Sequence, residues 1–534
     1  MSKNNCLYSG DYNLKLYING DLLEPSRLIR IIENDVFRIE LRIEGADAVY
    51  LHTDMTSEHL EMVKMNYQHG VYNLEVNPVR CGRAMFRFAA ETEQRLMWEP
   101  DEYHQILTDP SVMDSIRMYT LIPNITGNIA GWTEKLKQIY KMGFNAVHIL
   151  PFTRMCSSES PYSAADLFSI DSDYAANTDE FRAFAKAAAD YGIMICLDIV
   201  LNHIGFENLI CREHGNWIVP DPKRPDGMKR AGCYHQDSWI SWEDLVLVNY
   251  EHPDLSIRYE IYDYMLEYVN FWIDAAGAEN IMIRLDNLHS SNEHFIRWLI
   301  PQIRKVHPGI IILSEFFGDE YQIDNAVINY GLNLITANSW EFPFAPNLQR
   351  YISSLHSRRG VVKYFLSPVS HDTESAAVLF GTPDSSIPRY AVCALMGTGV
   401  TGIVQGYENG VEKKINFIGR KVDKNAVGAK DYSNFIAEVN SLLAAELCLS
   451  VKGNIDFYDT ANDSLIVCKR RDEDGGILIA VNLDIYNSHS LDYPLIGKAE
   501  TLISERSELA YNKNDDRIHI NLNSCGVCVV RTGK

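Results

Sequence analysis

Positive charge is what this 534-residue chain most lacks: 49 Lys and Arg stand against 71 Asp and Glu, a formal net charge of −22. A nucleic-acid partner needs a cationic footprint, so that class is set aside. A neutral ligand is indifferent to the sign. Long apolar runs are also missing. No stretch approaches the roughly 18 apolar residues that a spanning helix needs, and the opening MSKNNCLYSG has no apolar core of signal-peptide length. The eleven cysteines are an odd, scattered set without a framework. A cytoplasmic protein with reduced thiols and no membrane partner is expected. Cys525 and Cys528 form a CxxC, but SCGVCVVR reads as a strand, where positions three apart face opposite sides. A redox or zinc pair is therefore the minor reading. No internal repeat or low-complexity tract is present.

What the chain does have is an ordinary globular balance, 46% hydrophobic and 22% charged. It is too long for a single hydrophobic core. Residues 1–112 read as β throughout: YNLKLYING, VFRIELRIEG, AVYLHTDM, GVYNLEVNP and AMFRFAAET are short, alternating and bounded by turn residues. That spacing predicts a β-sandwich. Over 113–447 the rhythm changes. Helical segments closed by Gly alternate with eight buried strands, from MYTLIPN through FNAVHILPF, IMICLDIVLNH, IMIRLD, IIILSEFF, LNLITANS and VKYFLSPVSHD to VTGIVQGYENG. Strands alternating with helices pair in parallel, and eight such units predict a closed (β/α)8 barrel. One connection is too long, and residues 204–250 are expected to form a small insertion over the barrel mouth after strand 3. Residues 448–534 return to β and predict a second, antiparallel sandwich.

The stretch IMIRLDNLHS, residues 281–290, sets the functional question. In a strand Met282, Arg284 and Asp286 share one face and Ile281, Ile283 and Leu285 the other. An arginine and a carboxylate at the end of a buried strand are either a structural ion pair or part of an active site. In barrels of this kind the site lies at the C-terminal strand ends. Those ends supply Asp198, Asn202 and His203 from strand 3, Arg284 and Asp286 from strand 4 with His289 beyond it, Glu315 from strand 5, and His371 and Asp372 from strand 7. Carboxylates aimed into one mouth repel one another, a cost that chemistry explains better than a solvated loop does. Two carboxyls, one ionised and one protonated, are the apparatus of glycoside hydrolysis, at about 5–5.5 Å for a retaining double displacement. Arg284 would keep Asp286 ionised, while a glutamate near negative charge and apolar walls would stay protonated as the acid.

DIVLNH, IRLDNLH, LSEF and SHD, in that order on strands 3, 4, 5 and 7, resemble the four short conserved regions of glycoside hydrolase family 13, the alpha-amylase family. SPYSAAD is similar to that family's motif after the second strand. The resemblance implies Asp286 as nucleophile, Glu315 as general acid/base and Asp372 as transition-state stabiliser. It further implies Arg284, His203 and His371 binding sugar at the cleavage subsite, Tyr162 stacking on its face and Asp166 buttressing the site. Asn202 matches a residue that ligates structural Ca²⁺ in many amylases; without visible partner ligands, a role in ordering the loop is favoured and no cofactor is required. Trp217, Trp239, Trp242 and Trp340 are candidate sugar platforms, each equally readable as core.

The pattern also departs from typical amylases. RLDNLHSS lacks the Lys-His pair after the nucleophile, and Ser370 stands where Asn usually precedes His-Asp. RLDN.H, SPYSAAD and GYENG look closer to glucanotransferase domains of glycogen debranching enzymes and to α-glucan maltosyltransferases. The resemblance thus implies an α-glucan or maltooligosaccharide substrate and a retaining hydrolase as first reading. A 4-α-glucanotransferase or maltosyltransferase is the second, and a non-catalytic binding subunit the third. Oligomeric state stays open.

Overall fold

The computed structural model describes residues 6–7, 12–24, 26–76, 81–93, 95–100, 102–235, 238–277, 281–420, 428–471, 476–494, 498–512 and 517–532. The N-terminal stretch read for a leader lies largely outside them. At its centre is a closed barrel of eight parallel strands: β1 (Arg117–Leu121), β2 (Ala146–Ile149), β3 (Met194–Ile199), β4 (Ile281–Leu285), β5 (Ile311–Ser314), β6 (Leu334–Ala337), β7 (Tyr364–Leu366) and β8 (Thr401–Val404). Each strand pairs with its neighbours in sequence, and β8 closes on β1.

Local chemistry explains the alternation. The helix Thr178–Asp190 starts at Asn177, whose side chain accepts from the amides of Asp179 and Glu180, with acidic residues filling the first turn. The helix Leu255–Ala276 stops at Gly277 in the left-handed conformation. Between helices, every residue of β4 is buried. Ile281, Ile283 and Leu285 join the cluster between strands and helices, while Met282 joins the barrel interior with Met118, Ala146, Cys196, Ile311, Leu313 and Phe365. The period of two thus gives each strand one face for the helices and one for the barrel.

The N-terminal region is two stacked sheets of five and six strands. Phe37, Ile39 and Leu41 from one meet Val49, Leu51, Phe86 and Phe88 from the other. After β3, His203–Gly205, Ser238–Leu247 and Arg230–His235 form a three-stranded sheet over the barrel mouth. Gly205 is required there, since a Cβ would lie 2.2 Å from Cys156 Sγ.

The C-terminal strands belong to one six-stranded antiparallel sheet rather than two separate ones. Its longest strand, Arg517–Thr532, bends at Cys525, where φ is +57°, and its neighbour bends at Arg506, where φ is +52°. The bend brings Leu491, Ile518, Ile520 and Leu522 into the same apolar cluster as Leu465, Val467, Leu478 and Val530, so one folded sheet does the work of a sandwich. The other face, with Ile477, Ile479, Val527 and Val529, packs into the barrel's own core. Cys525 and Cys528 are both buried free thiols, and no metal-binding cluster exists among the described residues.

The bottom of the barrel is tied to the N-terminal sheets by a buried ion cluster. Arg30 gives Nε and Nη2 to the two oxygens of Asp109, at 2.9 and 2.7 Å. Lys363 reaches Asp109 at 3.1 Å and Asp114 at 2.6 Å. Asn333, just before β6, donates to Asp109 and accepts from Arg304. Burial works against the Asp109 charge, but Arg30, Lys363 and Asn333 outweigh it and hold the carboxyl below its ordinary value. A depressed carboxyl contributes stability above its unfolded value of about 3.9 and loses it as pH falls through the folded one. Asp109→Asn is expected to cost about 3–5 kcal/mol, because it leaves buried Arg30 without its carboxylate and Lys363 with Asp114 alone, and the cost should shrink on acidification below about pH 4. Denaturant unfolding at several pH values measures this. A variant as stable as wild type at neutral pH would show that the cluster does not hold the two regions together.

Candidate active site

The polar ends of β2 to β5 and the loop after β7 meet at one barrel mouth. Asp286 lies one residue beyond β4 but is still pinned, its amide donating to the Ile199 carbonyl at 3.1 Å. Glu315, one beyond β5, donates to the Leu285 carbonyl at 3.1 Å, and its own carbonyl accepts from Leu288 at 3.0 Å. These backbone bonds extend the strand ladder just far enough to fix both carboxylates.

Arg284 is the hub. Its Nη1 donates to both oxygens of Asp198, at 2.7 and 2.8 Å, and to Asp286 Oδ1 at 2.9 Å. Its Nη2 meets Glu315 Oε2 at 2.9 Å. Asp198 Oδ2 also receives Tyr162 Oη at 3.0 Å and His148 Nε2 at 3.1 Å. Burial disfavours the Asp198 charge, but Arg284, then His148 and His371, overcome this and lower it to about 2. Tyr162 Oη also lies 2.7 Å from His371 Nε2. One hydroxyl proton cannot serve both. Given to Asp198, it requires the His371 proton on Nε2, which also faces Asp372 Oδ2 at 3.0 Å. Asp372 is half exposed; burial opposes its charge, but His371, Arg284 and Lys414 hold it below the usual carboxylate range.

Arg284 opposes protonation of Asp286, the direction expected of it, but it does not act on that carboxyl alone. Burial pushes Asp286 well above the ordinary carboxylate range; Arg284 opposes this, and Glu315, Asp198 and Asp372 reinforce it. The reason is allocation. One guanidinium serves three carboxylates, and its shortest contacts go to Asp198.

Above this floor opens a cleft of about 970 Å³, at the upper end of ordinary ligand sites of about 300–1,000 Å³. Tyr162, His203, His289, Asp286, Glu315 and Asp372 line it. Arg284 and His371 line a deeper hollow that shares Glu315 and Asp372 with it. The Tyr162 ring lies parallel to His371, at 6° and 6.0 Å between centroids. His203 is buried, and neither ring nitrogen finds a partner among the described residues. Burial lowers it to about 4 against the pull of Asp244, so it is neutral. His289 is exposed and packs by Phe317 at 5.7 Å.

Three of the residues expected to bind substrate lie outside the cleft. Asp198 is fully buried beneath it, so it positions others. Asp166 accepts from the Phe168 amide and Ser169 Oγ, closing a turn of its own strand, which pairs with Thr153–Met155 outside the barrel. Asn202 gives its backbone carbonyl to the Val248 amide at the base of the insertion. Among the tryptophans, Trp217 is core against His214 and Tyr264. Trp340 lines the deep hollow, and Trp239 and Trp242 line the cleft. Positions 239 and 242 share the cleft because the hairpin register shifts between Arg230 and Gly232. A Cβ on Gly232 would meet the Trp239 ring at 2.9 Å.

Sequence reasoning missed His148. It stands on β2 with Ala146 on the barrel side, and Thr120 on β1 lies 3.2 Å from its Nδ1. A single histidine in the buried run AVHI was the available signal. It also missed Lys414 and Phe417, which come from the loop after β8. Lys414 Nζ donates to the Asp372 carbonyl, and Phe417 packs edge-on against Tyr162 and His371.

Residues 110–218 match the family model for the glucanotransferase domain of glycogen debranching enzyme. Relatives named alpha-1,4-glucan:maltose-1-phosphate maltosyltransferase include one from Picrophilus torridus, 23% identical over 72% of this chain and 63% of its own length. Another, from Myxococcus xanthus, is 25% identical over 67% and 56%. The chain thus spans less than two thirds of the length of these relatives. Among solved structures, a cyclomaltodextrinase superimposes over 97% of this chain and 99% of its own, with TM-score 0.63 and 17% identity. An alpha-amylase from H. orenii covers 78% and 99%, at TM-score 0.63 and 13% identity. The barrel and its flanking sheets thus share the fold of these amylase-type structures, and the sequence is similar to glucanotransferase and maltosyltransferase relatives.

Proposed function

We propose that the protein is a retaining enzyme acting on α-1,4-linked glucans or maltooligosaccharides, and that it passes the glycosyl unit to a sugar acceptor. The observation that carries this reading is the single guanidinium joining Asp286 to Glu315 on the floor of an aromatic-walled cleft. A double displacement uses two carboxyls about 5–5.5 Å apart, and both of these lie 2.9 Å from the same planar guanidinium. In the first step the proton that burial favours on Asp286 has passed to Glu315, and an ionised Asp286 oxygen bonds to C1 of the donor as the glycosidic C1–O bond breaks. Glu315 gives its proton to the departing oxygen. In the second step Glu315 takes the proton of the acceptor hydroxyl, which attacks C1 and releases Asp286. Asp372, its carboxyl held charged beside His371, faces the positive charge developing on the sugar ring.

The sugar acceptor is favoured over water by the relatives' names and by the glucanotransferase family model. It also accords with the aromatic faces of Trp239, Trp242 and Phe417 along the cleft. Hydrolysis is the second reading, favoured by the amylase-like His371-Asp372 pair. A binding subunit without catalysis fits poorly, since Asp286, Glu315 and Asp372 all border one cleft.

Incubation with maltoheptaose, with and without added maltose, separates the readings. Products both longer and shorter than the substrate, with the acceptor incorporated, are expected. Shorter products alone, unaffected by acceptor, would mean hydrolysis, and no products would end the reading. Asp286→Asn, Glu315→Gln and Asp372→Asn should each melt near wild type and lose at least about 10²–10⁴-fold in turnover. Any variant that keeps the wild-type rate loses its assignment.

His203 tests the binding surface independently. Two unpaired buried nitrogens cost about 1–3 kcal/mol each, so removing the ring recovers part of what the lost packing costs. His203→Ala is expected to lower stability by less than about 1 kcal/mol, against about 3–5 for an ordinary large core side chain. Activity should fall all the same, chiefly through KM. A sharp loss of thermal stability with normal kinetics in the folded fraction would make His203 a core residue.

A further inference from the structure

Directly after Asp286 the backbone does something unusual. Asn287 has φ of +46° and ψ of +42°, the left-handed region, without being glycine. Non-glycine residues held there cluster at functional sites, and asparagine is among the few that tolerate it. The conformation has a visible product: the Asn287 amide donates to Glu315 Oε2 at 2.9 Å. That same oxygen is ion-paired with Arg284 Nη2 at 2.9 Å. Glu315 Oε1 has no hydrogen-bond partner among the described residues, and Glu315 lines the cleft.

An oxygen that accepts an amide N–H and lies 2.9 Å from a guanidinium is the less favourable of the two for a proton of its own. We propose that Asn287 is a positioning residue for the general acid: its left-handed backbone turns the amide onto Glu315 Oε2, so that the transferable proton resides on Oε1, towards the substrate. This rests on the retaining reading above. It extends that reading by assigning the proton to one oxygen and by making the residue after the nucleophile responsible. The side chain of Asn287 is not what matters; the backbone conformation is. In an extended conformation the amide would turn off Glu315, leaving Arg284 as the only anchor and the carboxyl free to rotate.

The test compares substitutions by backbone preference. Asn287→Gly removes the side chain and keeps the left-handed conformation accessible. Asn287→Val disfavours it strongly, and Asn287→Ala does so to a lesser degree. Each is assayed on maltoheptaose and on α-maltosyl fluoride. With the fluoride, C1–F breaks as Asp286 bonds to C1, and fluoride leaves as the anion without needing a proton. On maltoheptaose the valine variant should lose about 10–100-fold, part of the 10²–10⁴-fold that acid–base catalysis supplies. On the fluoride it should still release a burst equal to the enzyme present, with a glycosyl adduct on Asp286 seen by intact mass. Azide, which attacks C1 without a base, should then restore turnover. Alanine should fall between, and glycine should stay much closer to wild type on both donors.

If glycine loses as much as valine, the side chain carries the role and the proposal is wrong. Equal loss of glucan turnover and fluoride burst in the valine variant, or no effect of azide, would equally overturn it. Should valine not fold, the alanine–glycine contrast decides by the same criteria. A wild-type enzyme that acts on neither donor would instead defeat the retaining reading itself.

Discussion

The barrel mouth has to hold four carboxylates, Asp198, Asp286, Glu315 and Asp372, around one guanidinium. Arg284 touches the first three directly, and its own charge is locked in by them, raised well above its ordinary value despite burial. A single positive charge cannot neutralise them all. The structure resolves this by rank. Asp198, fully buried, receives two guanidinium bonds, a tyrosine and a histidine, and is the most completely paired. Asp286 and Glu315 each receive one guanidinium contact and face the cleft. The two less completely paired carboxyls are thereby the ones that a ligand would meet. Arg284 is therefore neither a structural ion pair nor a tuner of one aspartate. It builds the floor and distributes charge across it.

That floor depends on what lies beneath. Met118, Ala146, Cys196, Met282, Leu313 and Phe365 fill the barrel interior below Thr120, His148, Asp198 and Arg284. The alternation of each strand sets an apolar layer under a polar one, so the guanidinium is sealed from water on its lower side. At the other end of the barrel a second buried cluster, Arg30, Asp109, Lys363 and Asn333, joins the N-terminal sheets. The two clusters are chemically alike and lie at opposite ends of the barrel. The lower one borders a hollow of about 590 Å³ against the N-terminal sheets, and the upper one opens onto the cleft at the C-terminal strand ends. Position on the barrel, rather than composition, separates docking from chemistry.

The barrel was legible because its signal is periodic and repeated eight times. IMIRLD announces its two faces by alternation alone, and Met282 and Ile283 fall on the sides that alternation assigns. Residues at strand ends were legible for the same reason. What strand logic could not supply were contacts made by loops. Asp166 looked like a site residue from its motif, but a turn with Phe168 and Ser169 claims its carboxylate. Trp239 and Trp242, three apart, would face opposite ways on a regular strand; only the irregular register of the hairpin shows that they share the cleft. His148 was hidden because one histidine in a buried strand resembles any core polar residue. The allocation of Arg284 was beyond sequence altogether, since it depends on a competition among three acids from different strands.

The walls of the cleft show how regions remote from the chemistry take part in it. The insertion is fixed to the Tyr162 loop by the close approach of Gly205 to Cys156 and by Asn208, whose Nδ2 donates to the Ala164 carbonyl at 2.9 Å. The opposite wall comes from the segment after β8, which brings Lys414 to Asp372 and Phe417 to Tyr162. It is fastened by Arg420 to Asp171 at 2.8 Å and by Lys430 to Asp384 at 3.0 Å. Asp384 also accepts from Arg506 at 2.8 Å, and Arg506 sits at the left-handed bend of the C-terminal sheet. The bend that lets one sheet serve as a sandwich thus also delivers a cation to Asp384, the carboxylate to which that segment is fastened by Lys430. These fastenings are partly exposed ion pairs, each contributing little alone. The floor, by contrast, is buried and fully paired around Asp198. A rigid floor with lightly fastened walls fits a site in which the positions of the carboxylates must not change while the space around them admits chains of different length.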